Sequence, residues 1–362
     1  MTRAGETSRL ARALGVAVGR PLVSADLATV TWLTGLVTDV EAGPSPFSAP
    51  PLVVLHPDGS LLAIASEDEV GGVREGVDVV TFPGFAVDDI DRENAAVAQA
   101  LAALEGARSV AGDIASLPGA LVWELARSDV ALVDARSALR QARAVKDADE
   151  LEAIRAAVRV ADEGQAAARE HLRAGRSELE LWSATRLAME REAGGRVPVL
   201  ADFVTGERTA DVGGSPGDRV VSEGELLLVD LVPRVAGYWA DSCSTVACGE
   251  PSETARRAHT RASEALERAL ELVRPGADTT KIDRAAREAV GTGYPHHTGH
   301  GLGTSFHEEP RIVPRSGRVL EPGMVLALEP GVYQEDVGVR VEQVVVVTEE
   351  GYDLLSGHNL DL

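Results

Sequence analysis

The stretch "ELLLVDLVPRVAGYWADSCSTVAC", residues 225–248, reads as two apolar strands around a turn centred between Val235 and Ala236, with an acid in each strand, Asp230 and Asp241. A second stretch of the same design, "GMVLALEPGVYQEDVGVRVEQVVVVT", residues 323–348, carries Glu329 and Glu342. Facing residues of a hairpin lie equally far from its turn, so Asp230 is expected opposite Asp241 and Glu329 opposite Glu342. Like charges set opposite each other destabilise a sheet. Strands this apolar are also expected to be buried on both faces, where an ionised carboxylate needs counter-charge. Divalent cations supply it most directly. The competing expectation, acids on the wet face of alternating strands, weakens with each further acid.

A pair of helical patterns precedes each hairpin. Asp147 with Glu150 and Ser177 with Glu180 have the spacing of capping boxes, the first leading into apolar Leu151, Ile154, Val158 and Ala161. Two more helical patterns run near 253–273 and 279–290 before the second hairpin. Helix, helix, hairpin, twice over, points to duplicated units related by a pseudo-twofold, an α+β domain over residues 149–362.

Within the second copy, "HHTGHGLGTSFHEEP", residues 296–310, holds four of the chain's eight histidines. His300 is expected as a nitrogen ligand, its flanking glycines letting backbone approach the ions. His307 reads as a donor to the negative charge that grows on an attacked carbonyl. His296 is expected to do similar work on the substrate side, and His297 to point elsewhere. His56, His171, His259 and His358 read as hydrogen-bonded structural residues. Asp230, Asp241, His300, Glu329 and Glu342 together would hold two divalent ions, one carboxylate of each hairpin bridging them. Such oxygen-rich ligation favours Mn²⁺ over a thiolate-type zinc site. A pair of ions acidifies a shared water and polarises a carbonyl, which is hydrolytic chemistry.

Residues 1–135 read as an α/β domain. Strand-like "PLVVL" and "LLAIA" flank the turn His56-Pro57-Asp58-Gly59, and "VDVVTF", "SVAGDI" and "DVALVDA" alternate with helical stretches near 93–106 and 118–127. Residues 136–148, with "RSALRQARAVK", are expected to link the domains; a chain of 362 residues exceeds what one core supports. Lys146 and Lys281 are the only lysines, which reads as a bias toward arginine. The net charge of −22 argues against a nucleic-acid partner. No run approaches a membrane span and the N-terminus lacks an export signal's apolar core, so a cytoplasmic protein without a membrane partner is expected. Cys243 and Cys248, five apart in one strand, face opposite ways and are not expected to pair.

The pieces "VDLVPRVAGYWAD", "HHTGHGLGTSFHEEP", "ALEPGVY" and "GVRVEQVVVVT", in this order and spacing, resemble the metal-dependent proline peptidases of the creatinase and aminopeptidase group, whose catalytic domain has the "pita-bread" fold. "ATVTWLTGL" and the strand-rich region after it resemble the creatinase-like N-terminal domain of Xaa-Pro peptidases, so the resemblance runs the whole chain. It implies that Asp230 binds one ion, that Asp241 and Glu342 bridge both, and that His300 and Glu329 complete the second. Glu329 would also take the proton of the attacking water. The resemblance further implies substrate contacts from His296 and His307, a link from Asp230 through Arg340 to Tyr333, and Arg311 as the seat of a substrate's free carboxylate, a planar anion that arginine suits. The expected function is that of a Xaa-Pro dipeptidase, or prolidase, using two Mn²⁺, with Co²⁺ or Zn²⁺ as substitutes, on small proline-containing peptides. The alternatives are a Xaa-Pro aminopeptidase acting on longer peptides and, further off, a metal-free binding module. Relatives of this kind imply a homodimer. Three positions depart from the pattern: Gly213 stands for a histidine, Val232 for a glycine and Ser244 for an arginine. The first removes a substrate donor, with Arg208 the candidate to fill the gap.

Overall fold

The computed structural model describes residues 3–41, 49–84 and 92–362, and the chain divides between Arg143 and Ala144 into two compact units. The first holds strands β1 (Leu22–Ser24), β2 (Leu52–Leu55), β3 (Leu61–Ser66), β4 (Asp78–Phe82), β5 (Ser109–Gly112) and β6 (Ala131–Asp134). They form one mixed sheet in the order β4-β3-β2-β1-β5-β6. Its helices are α1 (Arg3–Ala17), α2 (Leu27–Thr34), α3 (Arg92–Ala103), α4 (Gly119–Arg127) and α5 (Arg136–Arg143). β2 shows why helices lie on both faces, since its four residues are all buried and successive side chains part company. Leu52 and Val54 join a core with Ala96, Ala100 and Leu121 of α3 and α4. Val53 and Leu55 join another with Ala13, Trp32 and Leu139 of α1, α2 and α5.

Residues 136–148, expected as a linker, are helical over α5. Leu139 is buried in the first unit's core, and Arg143 Nη1 bonds Thr29 Oγ1 at 2.6 Å and Asp26 Oδ2 at 3.1 Å. A single apolar side chain per turn anchors this helix, which the surrounding arginines hide in the sequence.

The second unit repeats one design. Helices α6 (Ala148–His171) and α7 (Glu178–Ala193) precede β7 (Val199–Thr205), β8 (Leu226–Val235), β9 (Tyr238–Trp239) and β10 (Ser242–Ala247). Helices α8 (Glu253–Leu270) and α9 (Thr279–Val290) precede β11 (Gly299–Gly301), β12 (Glu308–Ile312), β13 (Val325–Leu328), β14 (Gly331–Gln334), β15 (Val337–Arg340), β16 (Gln343–Val347) and β17 (Tyr352–Leu354). The first sheet runs β10-β8-β7 with β9 on β8, and the second β12-β11-β13-β16-β17, with β14-β15 a separate ribbon. Both expected capping boxes are present, at Asp147–Glu150 and Ser177–Glu180.

Each helix pair covers its own sheet. Val160, Leu181 and Met189 pack on Phe203, Val229 and Leu231, while Ala262, Ala265, Ile282 and Ala286 pack on Leu326, Leu328 and Val345. The two halves are then stitched together at their hairpins: Glu342 N donates to Cys243 O at 2.9 Å, and Thr245 Oγ1 accepts from Arg340 N and donates to Arg340 O, both at 3.0 Å. Among the described residues no helix is long and apolar enough to cross a membrane. Both cysteines are free and buried.

Candidate metal centre

The seam between the hairpins gathers the acids. The second hairpin has the expected register: Leu328 pairs with Gln343 on one side and Gly331 with Arg340 on the other, which sets Glu329 opposite Glu342. The first does not. Asp230 pairs with Cys243, because the turn is the two residues Ala236 and Gly237, both at positive φ (49° and 86°), between paired Val235 and Tyr238. Two-residue turns with positive φ match the twist of the flanking strands, and Gly237 is the residue type that adopts this conformation freely. Asp241 is therefore set diagonally from Asp230, on the same face.

Convergence survives that correction. Ligand atoms of Asp230, Asp241 and Glu342 lie within 4.8 Å of one another. His300 Nε2 is 3.5 Å from Asp241 Oδ2 and 3.3 Å from Glu329 Oε1. All five side chains are buried. Asp230 Oδ1, both carboxylate oxygens of Glu342 and His300 Nε2 are buried atoms with no hydrogen-bond partner among the described residues. His300 Nδ1 is 2.9 Å from the Gly301 carbonyl and donates to it, which leaves Nε2 facing the acids, an N–H while no ion is bound and a lone pair for an ion that displaces that proton.

Burial pushes the Asp230 pKa well above the carboxylate range despite Arg340, and raises Asp241 despite His300. Glu342 rises strongly through burial and then through Asp241, Glu329 and Asp230. For Glu329 burial works upward too, but hydrogen bonds from His297 and His300 hold it well below its ordinary value. Burial opposes charge on His300, yet Asp241 and Glu329 raise it to about 10. Acids that keep one another from ionising, with their orphaned oxygens facing one imidazole nitrogen, fit divalent cations.

Arg340 uses all five of its N–H donors. Nε donates to Cys243 Sγ at 3.4 Å; Nη1 to Val212 O at 2.8 Å and Tyr333 Oη at 3.1 Å; Nη2 to Asp202 Oδ2 at 2.9 Å and to Asp230 Oδ2. The expected link from Asp230 to Tyr333 is thus geometrically present. It continues to His296, whose Nε2 lies 3.0 Å from Tyr333 Oη and whose Nδ1 lies 2.8 Å from His297 O. Both nitrogens of His296 are engaged, and burial, opposed by Glu329, lowers its pKa to about 4. His307 stands exposed at the mouth, its ring 4.1 Å from that of His300. Desolvation and the neighbouring His300, His297 and Arg311 lower its pKa to about 3, so it is neutral. A cleft of about 330 Å³ opens here, lined by Asp202, Asp230, His296, His307, Phe306 and Glu329 among others.

Three local readings change. His297 does not point elsewhere: its Nε2 is 2.7 Å from Glu329 Oε1 and its Nδ1 2.9 Å from Arg311 Nη2. Residues 294–298 form no strand, so successive side chains need not part company, and both histidines turn inward. The glycines beside His300 serve strand packing, since a Cβ on Gly299 or Gly301 would meet the carbonyl oxygen of Ala327 or Glu309 at 2.1 Å. Arg208 does not fill the space beside Gly213. It is held by Glu178 Oε2 and by Ser215 O at 2.9 Å, and Asp202 fills the space instead, 2.1 Å from where a Gly213 Cβ would lie.

Asp202 is the site residue that sequence reasoning missed. It sits directly across β7 and β8 from Asp230, and the lone acid in "VLADFVT" carries the same signal as the one in "LLLVDLV". Ser244, the third departure, donates to Gln165 Oε1 at 2.7 Å, while Gln165 Nε2 donates to Val229 O and Ser242 O, tying α6 to β8 and β10. His259 and His358 hold the C-terminal segment and α6, His259 Nε2 being 2.7 Å from Leu360 O and His358 Nδ1 3.2 Å from Asp162 Oδ1.

Among solved structures, the prolidase of Pyrococcus horikoshii superposes over 99% of each chain with a TM-score of 0.82 at 24% identity. The dipeptidase PepE of Mycobacterium ulcerans superposes over 100% of this chain and 98% of its own with a TM-score of 0.80 at 28% identity. Whole-chain likeness of this kind establishes the expected architecture, an α/β N-terminal unit and a pita-bread unit. An uncharacterized peptidase of Staphylococcus haemolyticus is 33% identical over 221 residues, 59% of this chain and 63% of that protein. A Xaa-Pro dipeptidase of Pyrococcus furiosus is 32% identical over 213 residues, 57% and 61% respectively. The matched region thus spans less than two thirds of these curated relatives. The sequence model of metallopeptidase family M24 matches residues 152–349, the stretch holding every acid and histidine of the centre, and the chain belongs to that family.

Proposed function

We propose that this chain is a dinuclear-metal Xaa-Pro dipeptidase that hydrolyses the bond preceding proline, with residues 149–362 as its catalytic domain. The carrying observation is the set of orphaned buried atoms on Asp230, Glu342 and His300 facing Asp241 and Glu329. Asp230 would hold one ion, Asp241 and Glu342 both, His300 and Glu329 the second, with Mn²⁺ suited to a donor set of four carboxylates and one imidazole. When bound, such ions supply Lewis acidity toward a carbonyl and toward water.

The chain's own residues do the remainder. Glu329 accepts a proton from the attacking water. His307, at the mouth of the cleft, donates to the oxygen of the attacked carbonyl. Arg340 fixes Asp230 and Tyr333, and Tyr333 fixes His296 against the substrate side. A bond before proline lacks an N–H, so recognition through the carbonyl is what such a substrate requires.

Dipeptides are favoured because Arg311 is half-buried beside His297 with its Nε lacking an acceptor among the described residues, a donor suited to a substrate's free carboxylate. The dipeptidase names of the Pyrococcus furiosus relative and the Mycobacterium ulcerans structure agree with this choice. The X-Pro aminopeptidase of Thermotoga maritima, also similar over 95% of the chain, keeps the aminopeptidase as second reading. We also propose a cytoplasmic homodimer.

The test is hydrolysis of a Xaa-Pro dipeptide and of its C-terminally extended tripeptide, after chelation and again after adding Mn²⁺, Co²⁺ or Zn²⁺. Dipeptide cleavage restored by Mn²⁺ is expected. Cleavage of the tripeptide alone would reject the dipeptidase, and undiminished activity after exhaustive chelation would reject the metal scheme.

A further inference from the structure

The hydrogen-bond chain Arg311–His297–Glu329 runs from the proposed carboxylate seat to a proposed ligand through His297, which belongs to neither set. Arg311 Nη2 lies 2.9 Å from His297 Nδ1, and His297 Nε2 lies 2.7 Å from Glu329 Oε1. A guanidinium has donors and no acceptor, so Nδ1 must offer its lone pair. The imidazole proton is then on Nε2, where it is donated to the Glu329 carboxylate. A doubly protonated ring would set an N–H against an N–H at Arg311.

Two neighbouring imidazoles are therefore fixed in opposite senses. His300 gives its Nδ1 proton to the Gly301 carbonyl and presents Nε2 inward as the nitrogen open to an ion; the inward N–H of His297 is committed to Glu329. Although nitrogens of His297, His300 and His307 lie within 4.8 Å of one another, His297 cannot ligate through the nitrogen that faces the centre.

From this we infer that Arg311 and His297 are a positioning pair for Glu329, an inference resting on Glu329 being a metal ligand as proposed above. His297 donates to one lone pair of Oε1 and so holds the carboxylate plane, which sets how the remaining lone pairs face the centre. The guanidinium charge on the far side of the ring strengthens that donation, because a donor hydrogen-bonded to a cation is polarised. Partners of this kind, one bond behind a ligand, contribute about 10–100-fold to metal affinity when present.

The experiment measures Mn²⁺ binding to the chelated, full-length protein by calorimetry, together with long-range ¹H–¹⁵N correlation of the histidine rings. His297→Phe keeps the ring and removes the donor, and about 10–100-fold weaker binding is expected. His297→Gln restores an N–H at a similar reach and should recover most of the loss, which a role in packing alone would not produce. Arg311→Met should leave the fold intact and release the tautomer, so that the His297 Nδ1 signal loses its unprotonated character. Asp241→Asn serves as the control on the centre itself. Abolished binding in that variant with unchanged binding in His297→Phe overturns the positioning pair and leaves the centre standing. Unchanged binding in Asp241→Asn overturns the centre. A protonated Nδ1 on His297 in the parent protein also overturns the pair.

Discussion

Lys146 offers a sharp test of how the loop bearing His307 is held. Its Nζ lies 3.0 Å from Glu308 Oε2, with both side chains 1% exposed, and donates to Ala144 O at 3.1 Å. The other Glu308 oxygen accepts from Ser305 N at 3.1 Å and Thr304 Oγ1 at 3.3 Å, so one buried carboxylate pins the turn before His307. Lys146→Met keeps the length of the side chain and removes its charge. A buried carboxylate left without its partner costs about 3–5 kcal/mol. For a unit of this size each kcal/mol moves Tm by about 2–4 °C, which predicts a fall of roughly 6–20 °C. Adding Glu308→Gln removes the stranded charge but retains an acceptor for Ser305 and Thr304, so the double variant should regain most of the loss. Thermal unfolding of the parent, both single variants and the double variant closes the cycle. If Lys146→Met lies within about 1 kcal/mol of the parent, or the double variant is no better than the single, the pair does not hold the turn.

Two further outcomes are expected. In metal-free protein Asp230, Asp241 and Glu342 have raised pKa values, so the fold binds protons that the unfolded chain releases above the ordinary carboxylate range, and stability falls as pH rises. His300, raised to about 10, adds stability that is complete below its unfolded value and lost through pH 10, while the lowered Glu329 contributes fully above its unfolded value. His296 and His307, lowered to about 4 and about 3, work the other way and add stability as pH rises through the ordinary histidine range near 6.5. Above about pH 7.5 that gain is complete, and the raised groups alone still titrate and lower metal-free stability as pH rises. The Tm difference between Mn²⁺-loaded and chelated protein should widen over that range in differential scanning, and a constant or narrowing gap would contradict the electrostatics. Separately, Gly301→Ala puts a methyl group 2.1 Å from the Glu309 carbonyl, which is backbone and cannot swing aside. Overpacking of this kind costs about 1–3 kcal/mol, and displacement of β12 from β11 should weaken Mn²⁺ binding through His300; an alanine variant with parental Tm and affinity would refute the close-packing account.

The duplicated plan was legible because capping boxes and apolar hairpins are local signals, and Asp147, Ser177, Glu329 and Glu342 stand where those signals put them. The first hairpin slipped because its register depends on which two residues accept positive φ, and a centre at Val235–Ala236 overlooked Gly237. His297 was misread because alternation holds only in a strand, and the backbone before Gly299 is not one. Lys146 looked like composition, since nothing local marks a partner 162 residues away. Asp202 was readable in principle, an acid in an apolar strand, but its importance comes from standing across from Asp230 and sharing Arg340, contacts set by tertiary pairing.

The stitching of the hairpins bears on how the protein comes apart. Asp230 and Asp241 come from one repeat and His300, Glu329 and Glu342 from the other, joined through Cys243 O and Glu342 N. Ions held as proposed would be gripped from both sides like a rivet: loosening either repeat would release the cargo of the whole centre, and loading it would couple the breathing of two helix pairs that otherwise pack on separate sheets.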